Sequence, residues 1–88
     1  MTTLFVPDVP EFQPVWQHCI ARPGMRVTRH AAGYIEIETS TTLELRRSEL
    51  RIPLAVWFGL PTGGLEGRIA QYDKDVLRLE PIGAGGQQ

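Results

Sequence analysis

The sequence predicts a small α+β domain in which one N-terminal helix packs on an antiparallel sheet of four or five strands. Apolar residues recur at helical spacing over 12–20, and apolar and polar residues alternate over several later segments. A chain of 88 residues forms one domain, and its hydrophobic fraction of 42% is ordinary for a folded protein. We expect an extended arm at 1–10, the α+β domain at 11–82 and a flexible tail at 83–88.

The first ten residues are expected to be extended, with a short edge strand at 3–6 that Pro7 ends. A helix is predicted at 11–21, with Pro14 in its first turn, where a missing backbone N–H matters little. The apolar residues of this helix recur at spacings of three and four: Phe12, Val15, Trp16, Cys19 and Ile20. The apolar face spans about three turns, which is too short for a stable isolated helix, so it must pack on the sheet.

Residues 25–30 and 34–39 both alternate between apolar and polar side chains. The short segment Ala31-Ala32-Gly33 between them contains a glycine, which favours a turn. Together these features predict a β-hairpin. A second pair of strands is predicted at 67–72 and 76–80, and its core-facing residues would be Ile69, Leu77 and Leu79.

A third strand starts at Leu43, but its apolar residues move from odd to even positions before Ile52. Such a change of phase turns later side chains to the other face, and a β-bulge near Arg47-Ser48 would restore them. A helix from Ser48 is the alternative, although it would contain Pro53. We favour a strand to Ile52 and then a short helical turn that Pro53 begins and Gly59 ends.

The uncharged stretch 52–65 contains the densest apolar run of the chain at 54–58. As a strand or as a helical turn, this run leaves a large apolar area exposed in so small a domain. Such patches usually mark interfaces, where tryptophan is enriched. We therefore expect a homodimer, or contact with another protein, centred on Trp57, Phe58 and Leu60. The alternative is that the N-terminal helix covers this surface completely.

The glycines of this stretch do not indicate a nucleotide site. Gly59 and Gly64 have the GxxxxG spacing of a P-loop, but Leu65 and Glu66 occupy the positions of its Lys and Ser or Thr. A carboxylate at this position would repel a phosphate. The sequence therefore predicts turn glycines and no nucleotide cofactor.

Three residues are the candidates for a metal site or a Cys–His nucleophile pair: His18, Cys19 and His30. His18 and Cys19 are about 100° apart on a helix, so they do not converge on one ion. No CxxC or HxxxH spacing completes a site. We expect a buried structural cysteine, two polar histidines and no metal.

Three carboxylates are candidates for acid–base chemistry: Glu36, Glu38 and Glu44. Acid–base catalysis needs a carboxyl group in an apolar environment that raises its pKa. These residues lie instead on the polar side of alternating strands, where a solvated face is the simpler interpretation. We predict no catalytic residue.

A net charge of −1 excludes a generally basic nucleic-acid-binding protein but leaves room for a local basic patch. The candidate patch consists of Arg46, Arg47 and Arg51, extended by Arg26 and Arg29. Arginines along one sheet face would suit contacts with phosphates.

Part of this region resembles a known family. Arg51-Ile52-Pro53, followed by Gly59-Leu60 and a terminal pair of strands, resembles small bacterial swapped-hairpin transcription factors of the AbrB kind. The resemblance implies a dimeric DNA-binding fold.

Eight of the nine basic residues are arginine and asparagine is absent, a composition typical of a GC-rich bacterial genome. A single cysteine, no signal-peptide pattern and no membrane-length apolar run favour the bacterial cytoplasm. We expect a non-enzymatic binding or regulatory module that acts through protein–protein contact, with no cofactor. The alternatives are an AbrB-like or other sheet-based DNA-binding protein, and a small enzyme or enzyme subunit.

Overall fold

A computed structural model of the chain describes residues 1–82. It confirms the α+β class, with a helix near the N-terminus packed on an antiparallel sheet. The strands in this range are β1 (Thr2–Pro7), β2 (Met25–His30), β3 (Tyr34–Thr39), β4 (Leu43–Arg46), β5 (Leu65–Glu66), β6 (Arg68–Tyr72) and β7 (Val76–Glu80). The helices in the same range are α1 (Gln13–Ile20), α2 (Arg47–Leu50) and α3 (Leu54–Trp57), with 3-10 turns at Pro10–Phe12 and Leu60–Gly63. The tail predicted at 83–88 lies outside the described residues.

β1 lies inside the first sheet, whose order is β2-β3-β1-β5 with every pair antiparallel. It pairs with β3 along its whole length and with β5 at Thr3 and Leu4. The strand predicted at 3–6 is confirmed, but its predicted edge position is wrong, because β1 lies in the interior of the sheet. The reason is burial, because Thr2, Leu4 and Val6 are inaccessible to solvent and buried backbone groups need partners.

α1 forms where the apolar spacing predicts it, after a 3-10 turn that begins at Pro10. Pro14 is the second residue of α1, so its missing N–H breaks no helical hydrogen bond. Val15 and Cys19 on the inner face are fully buried, and the helix packs mainly against β2. Ile20, the last residue of the helix, is 58% exposed.

The strand predicted from Leu43 to Ile52 is wrong beyond Arg46. A helical turn, α2, takes the place of the expected bulge and changes the phase of the apolar residues. Where β4 ends, the backbone N–H of Arg47 donates to the carbonyl of Asp75 in the turn before β7 (2.9 Å). α2 then closes in a left-handed conformation at the following residue, Arg51 (φ 56°).

The helical turn expected after Pro53 is confirmed as α3, for which this proline is the N-cap residue. Pro53 adopts φ −63° and ψ 155°, and its carbonyl accepts a hydrogen bond from the Trp57 N–H (2.9 Å). Phe58 closes the turn by donating its N–H to Leu54 (2.9 Å).

β4, β7 and β6 form a second antiparallel sheet in that order, so residues 1–82 hold two sheets instead of one. Gly67 joins β5 to β6 with a φ of 147°, and the chain passes from the first sheet to the second at this residue. The two sheets share one core, whose largest members are leucines, isoleucines and one tryptophan: Leu4, Ile35, Ile37, Leu43, Leu45, Trp57, Leu60, Leu77 and Leu79.

Candidate functional site

The three residues expected at the centre of an interface lie in different environments. Trp57 and Leu60 are fully buried, whereas Phe58 is 48% exposed. Neighbouring residues on a helical turn point about 100° apart, so the burial of Trp57 directs Phe58 outward. The expectation that all three residues lie at an exposed surface is therefore wrong for Trp57 and Leu60, and only Phe58 is accessible.

Two hydrogen bonds hold Trp57, the residue before Phe58, in the core. The indole Nε1 of Trp57 donates to the carbonyl of Asp73 (2.6 Å), and the hydroxyl of Tyr72 donates to the carbonyl of Trp57 (2.8 Å). Burial raises the pKa of the Tyr72 phenol above its ordinary value, and the hydroxyl is a protonated donor at neutral pH. These bonds tie α3 to the β6–β7 turn, so Phe58 projects from a fixed support.

Two more apolar side chains extend the surface around Phe58. Leu54 lies one helical turn before Phe58, on the same face of α3, and is 46% exposed. The ring of Phe58 contacts the ring of Tyr72 on β6, with their centroids 5.3 Å apart. The surface therefore continues from the helix onto the second sheet.

Ile69 belongs to the same surface. On β6, Ile69 and Tyr72 pair with Leu79 and Leu77, two residues apart on β7, because Ala70 lies in a bulge. Paired residues share a face of the sheet, so Ile69 and Tyr72 are neighbours on the side that faces the core. Ile69 is nevertheless 45% exposed, because β6 is the edge strand. We call the four residues Leu54, Phe58, Ile69 and Tyr72 the Phe58 patch.

Leu54 and Phe58 belong to the run 54–58 that was expected to leave apolar surface exposed, whereas Ile69 and Tyr72 were not predicted as part of it. The Leu54–Phe58 spacing of four was a usable signal for a shared helical face. Ile69 was assigned to the core, and it does face the core side of the sheet. Its exposure depends on which strand ends the sheet, and this choice leaves no mark in the local pattern of residues.

The arginines predicted as a basic patch have different partners within the described residues. Arg46 forms an ion pair with Glu44 (2.9 Å), whereas Arg47 donates to the carbonyl of Lys74 (2.7 Å). Arg51 has no ion pair among residues 1–82. Two further arginines form ion pairs with acidic neighbours: Arg26 with Glu38 and Arg29 with Asp8.

Glu44 is held between two arginines. Arg78 Nε donates to Glu44 Oε1 (3.1 Å), and this hydrogen bond, with the charge of Arg46, lowers the pKa of the Glu44 carboxyl below its ordinary 4.5. A lowered folded-state pKa stabilises the fold above about pH 4.5, and this contribution is lost as the pH falls through the folded-state pKa.

Replacing Glu44 with glutamine should therefore remove part of the acid sensitivity of folding. Because the carboxyl lies at the surface, we expect the variant to lose less than about 1 kcal/mol at pH 7. Below about pH 4.5 its stability should converge on that of the wild type. Urea unfolding between pH 2.5 and 7 measures both effects, with Glu49→Gln as control. A constant difference between Glu44→Gln and wild type across this range would contradict the assignment.

The possible metal and nucleophile residues are not assembled into a site. Within residues 1–82, no three His, Cys, Asp or Glu side chains lie close enough to hold a metal ion. Burial raises the pKa of the Cys19 thiol to about 11, so the thiolate is scarce at neutral pH. His30 Nε2 lies 2.8 Å from Glu36, and its ring stacks on Tyr34 with centroids 4.4 Å apart.

An open hollow of about 510 Å³ lies between α1, β4 and α2. Its lining is polar: His18, Arg22, Thr42, Glu44, Arg46 and Glu49. Arg22 donates to the carbonyl of Glu44 (2.8 Å), and the carboxylate of Glu44 pairs with Arg46, so these charges are matched within the protein. The Glu44 carboxyl in this hollow has a lowered pKa, whereas acid catalysis uses a carboxyl group with a raised one.

Gly59 and Gly64, the two glycines with P-loop spacing, lie on either side of a turn. Gly59 precedes the 3-10 turn Leu60–Gly63 with an ordinary φ of −89°, and Gly64 follows it with a φ of 102°. The N–H of Gly64 donates back to Pro61 (3.0 Å), so it is used within the turn. These glycines therefore shape the backbone of this turn.

No protein-family model matches the chain, and a search of the curated proteins finds no match either. None of the helices in residues 1–82 has the length and apolar character needed to cross a membrane.

Proposed function

We propose that the protein is a small non-enzymatic binding module of the bacterial cytoplasm, which acts by contacting another protein through the Phe58 patch. The observation that supports this proposal is the patch itself. Three large apolar side chains, Leu54, Phe58 and Ile69, are each 45–48% exposed. The Phe58 ring contacts Tyr72, which shares a face of β6 with Ile69. Contiguous apolar surface of this kind on a small domain usually marks an interface.

The size of the patch indicates a reversible contact. Its half-exposed side chains offer roughly 300 Å² of apolar surface, given what such residues bury when fully covered. Covering that area is worth about 7.5 kcal/mol at 25 cal/mol per Å². Association itself costs roughly 4–15 kcal/mol, so the patch supports weak or moderate affinity unless polar contacts around it add to binding.

The distribution of charge supports protein contact over the alternatives. The arginines that would contact phosphates are in part paired with acidic neighbours, Arg46 with Glu44 and Arg29 with Asp8. A DNA-binding protein would give a retarded complex that weakens steeply with salt. We expect no specific protein–DNA complex in a retardation assay at physiological salt.

Photo-crosslinking in the native cells tests the proposal. A photoreactive phenylalanine analogue at position 58 should give a discrete protein adduct, because this ring lies at the centre of the patch. The same analogue at Glu11, an exposed residue of the first 3-10 turn, is the matched control and should not give that adduct. The same adducts from both positions, or none from position 58, would refute the proposal.

A further inference from the structure

We infer that the Phe58 patch receives a short amphipathic helix of a partner protein. This inference rests on the proposed function and specifies the kind of partner. Two other occupants are conceivable at this place in the fold, namely an added β-strand along β6 and a second copy of this chain. The geometry of β6 and the size of the patch favour the helix over both.

The outer edge of β6 is a poor template for another strand. The strand is five residues long, and its register shifts between Ile69 and Gln71. A bulge disrupts the regular spacing of backbone N–H and C=O groups, and it is one of the devices by which proteins block pairing at sheet edges. The same bulge opposes antiparallel pairing of β6 with β6 of a second copy. Contact at this surface must therefore depend on side chains.

The area of the patch also disfavours a second copy. A stable protein–protein interface of standard size buries about 800 Å² on each partner, of which roughly 450 Å² is apolar. The patch supplies roughly 300 Å², on the same estimate from side-chain size. A helix of about 12 residues is roughly 18 Å long and presents a narrow apolar stripe, which fits a surface of this size.

The two sides of the patch match such a stripe. Leu54 and Phe58 form one side on α3, and Ile69 and Tyr72 form the other on β6. Helices that bind in grooves use apolar residues at i, i+3 or i+4, and i+7. Arg51 is exposed three residues before Leu54 and has no ion pair among residues 1–82. A carboxylate beside the apolar stripe of the partner would complement this charge.

A display library of random 14-residue peptides, selected on the immobilised full-length protein, tests this inference. We expect enriched peptides to place apolar residues at helical spacing and to carry a negative net charge. Phe58→Ser and Ile69→Ser should each weaken their binding about tenfold or more, as expected for residues at the centre of an interface. Ile20→Ser is the matched control, since Ile20 is 58% exposed on α1, and it should change the dissociation constant less than about twofold.

Three outcomes would overturn the inference. They are enriched peptides that alternate with a period of two, binding unaffected by both Phe58→Ser and Ile69→Ser, and no enrichment at all. A dimer in sedimentation that Phe58→Ser abolishes would instead assign the patch to a second copy. The proposed function is tested separately, because a crosslinked protein at position 58 would stand even if the partner segment were not helical.

Discussion

The Trp57→Ala variant is expected to be largely unfolded or close to unfolding at 37 °C. Trp57 is inaccessible to solvent, and its indole holds the carbonyl of Asp73. Truncating a buried tryptophan typically costs about 3–5 kcal/mol through lost contacts and the cavity that remains. An 88-residue domain has a total stability of about 4–13 kcal/mol at the usual value per residue, so this loss is a large fraction of it.

The neighbouring aromatic residue provides the control. Phe58→Ala removes a ring that is 48% exposed, and we expect it to cost only about 1 kcal/mol. Urea unfolding followed by far-UV circular dichroism compares the two variants with the wild type. Equal midpoints for Trp57→Ala and Phe58→Ala, or a larger loss for the latter, would show that the two rings are not divided between core and surface as described.

Gly63→Ala is expected to be the second strongly destabilising change. A methyl group on Gly63 would overlap the backbone carbonyl of Phe5 in the interior strand β1. Backbone cannot move aside as a flexible side chain can, so either β1 or the 3-10 turn must shift. The nearby hydrogen bond from the Phe5 N–H to Gly64 (3.0 Å) would then be strained or lost. Together these effects are expected to cost about 2–4 kcal/mol.

Gly59→Ala separates this steric effect from a general loss of glycine flexibility. Gly59 has a φ of −89°, and an added methyl would meet its nearest neighbour, the Val56 carbonyl, at 3.4 Å. We therefore expect a change within about 1 kcal/mol, of either sign. Thermal unfolding of both variants measures the difference. If Gly63→Ala is as stable as Gly59→Ala, the close contact between β1 and the turn is wrong.

Local patterns were sufficient for the elements whose residues interact nearby in the chain. The apolar spacing from Phe12 to Cys19 located α1, and the alternation on either side of Gly33 located the β2–β3 hairpin. The turn after Pro53 followed from the fixed φ of proline. Each of these signals lies within a window of a few residues.

The features that the sequence did not predict depend on pairing between strands that are far apart in the chain. β1 is interior because β3 and β5 flank it, and these strands lie some thirty and sixty residues away in the chain. Alternation shows only which side chains share a face, and it does not identify the strand on either edge. The same limit concealed the exposure of Ile69 on β6. The separation of Trp57 from Phe58 required the orientation of α3, which packing against Tyr72 sets.

Hydroxyl-radical footprinting, performed on the purified protein and inside the native cells, tests most directly whether the Phe58 patch is a contact surface. In the purified protein, Phe58 and Ile69 should be oxidised while Trp57 is spared, because only the first two side chains are exposed. In cells, we expect Phe58 and Ile69 to be protected while Ile20 on α1 remains accessible. If Phe58 is oxidised equally in the purified protein and in native cells that contain the protein at its natural abundance, the Phe58 patch is not a contact surface.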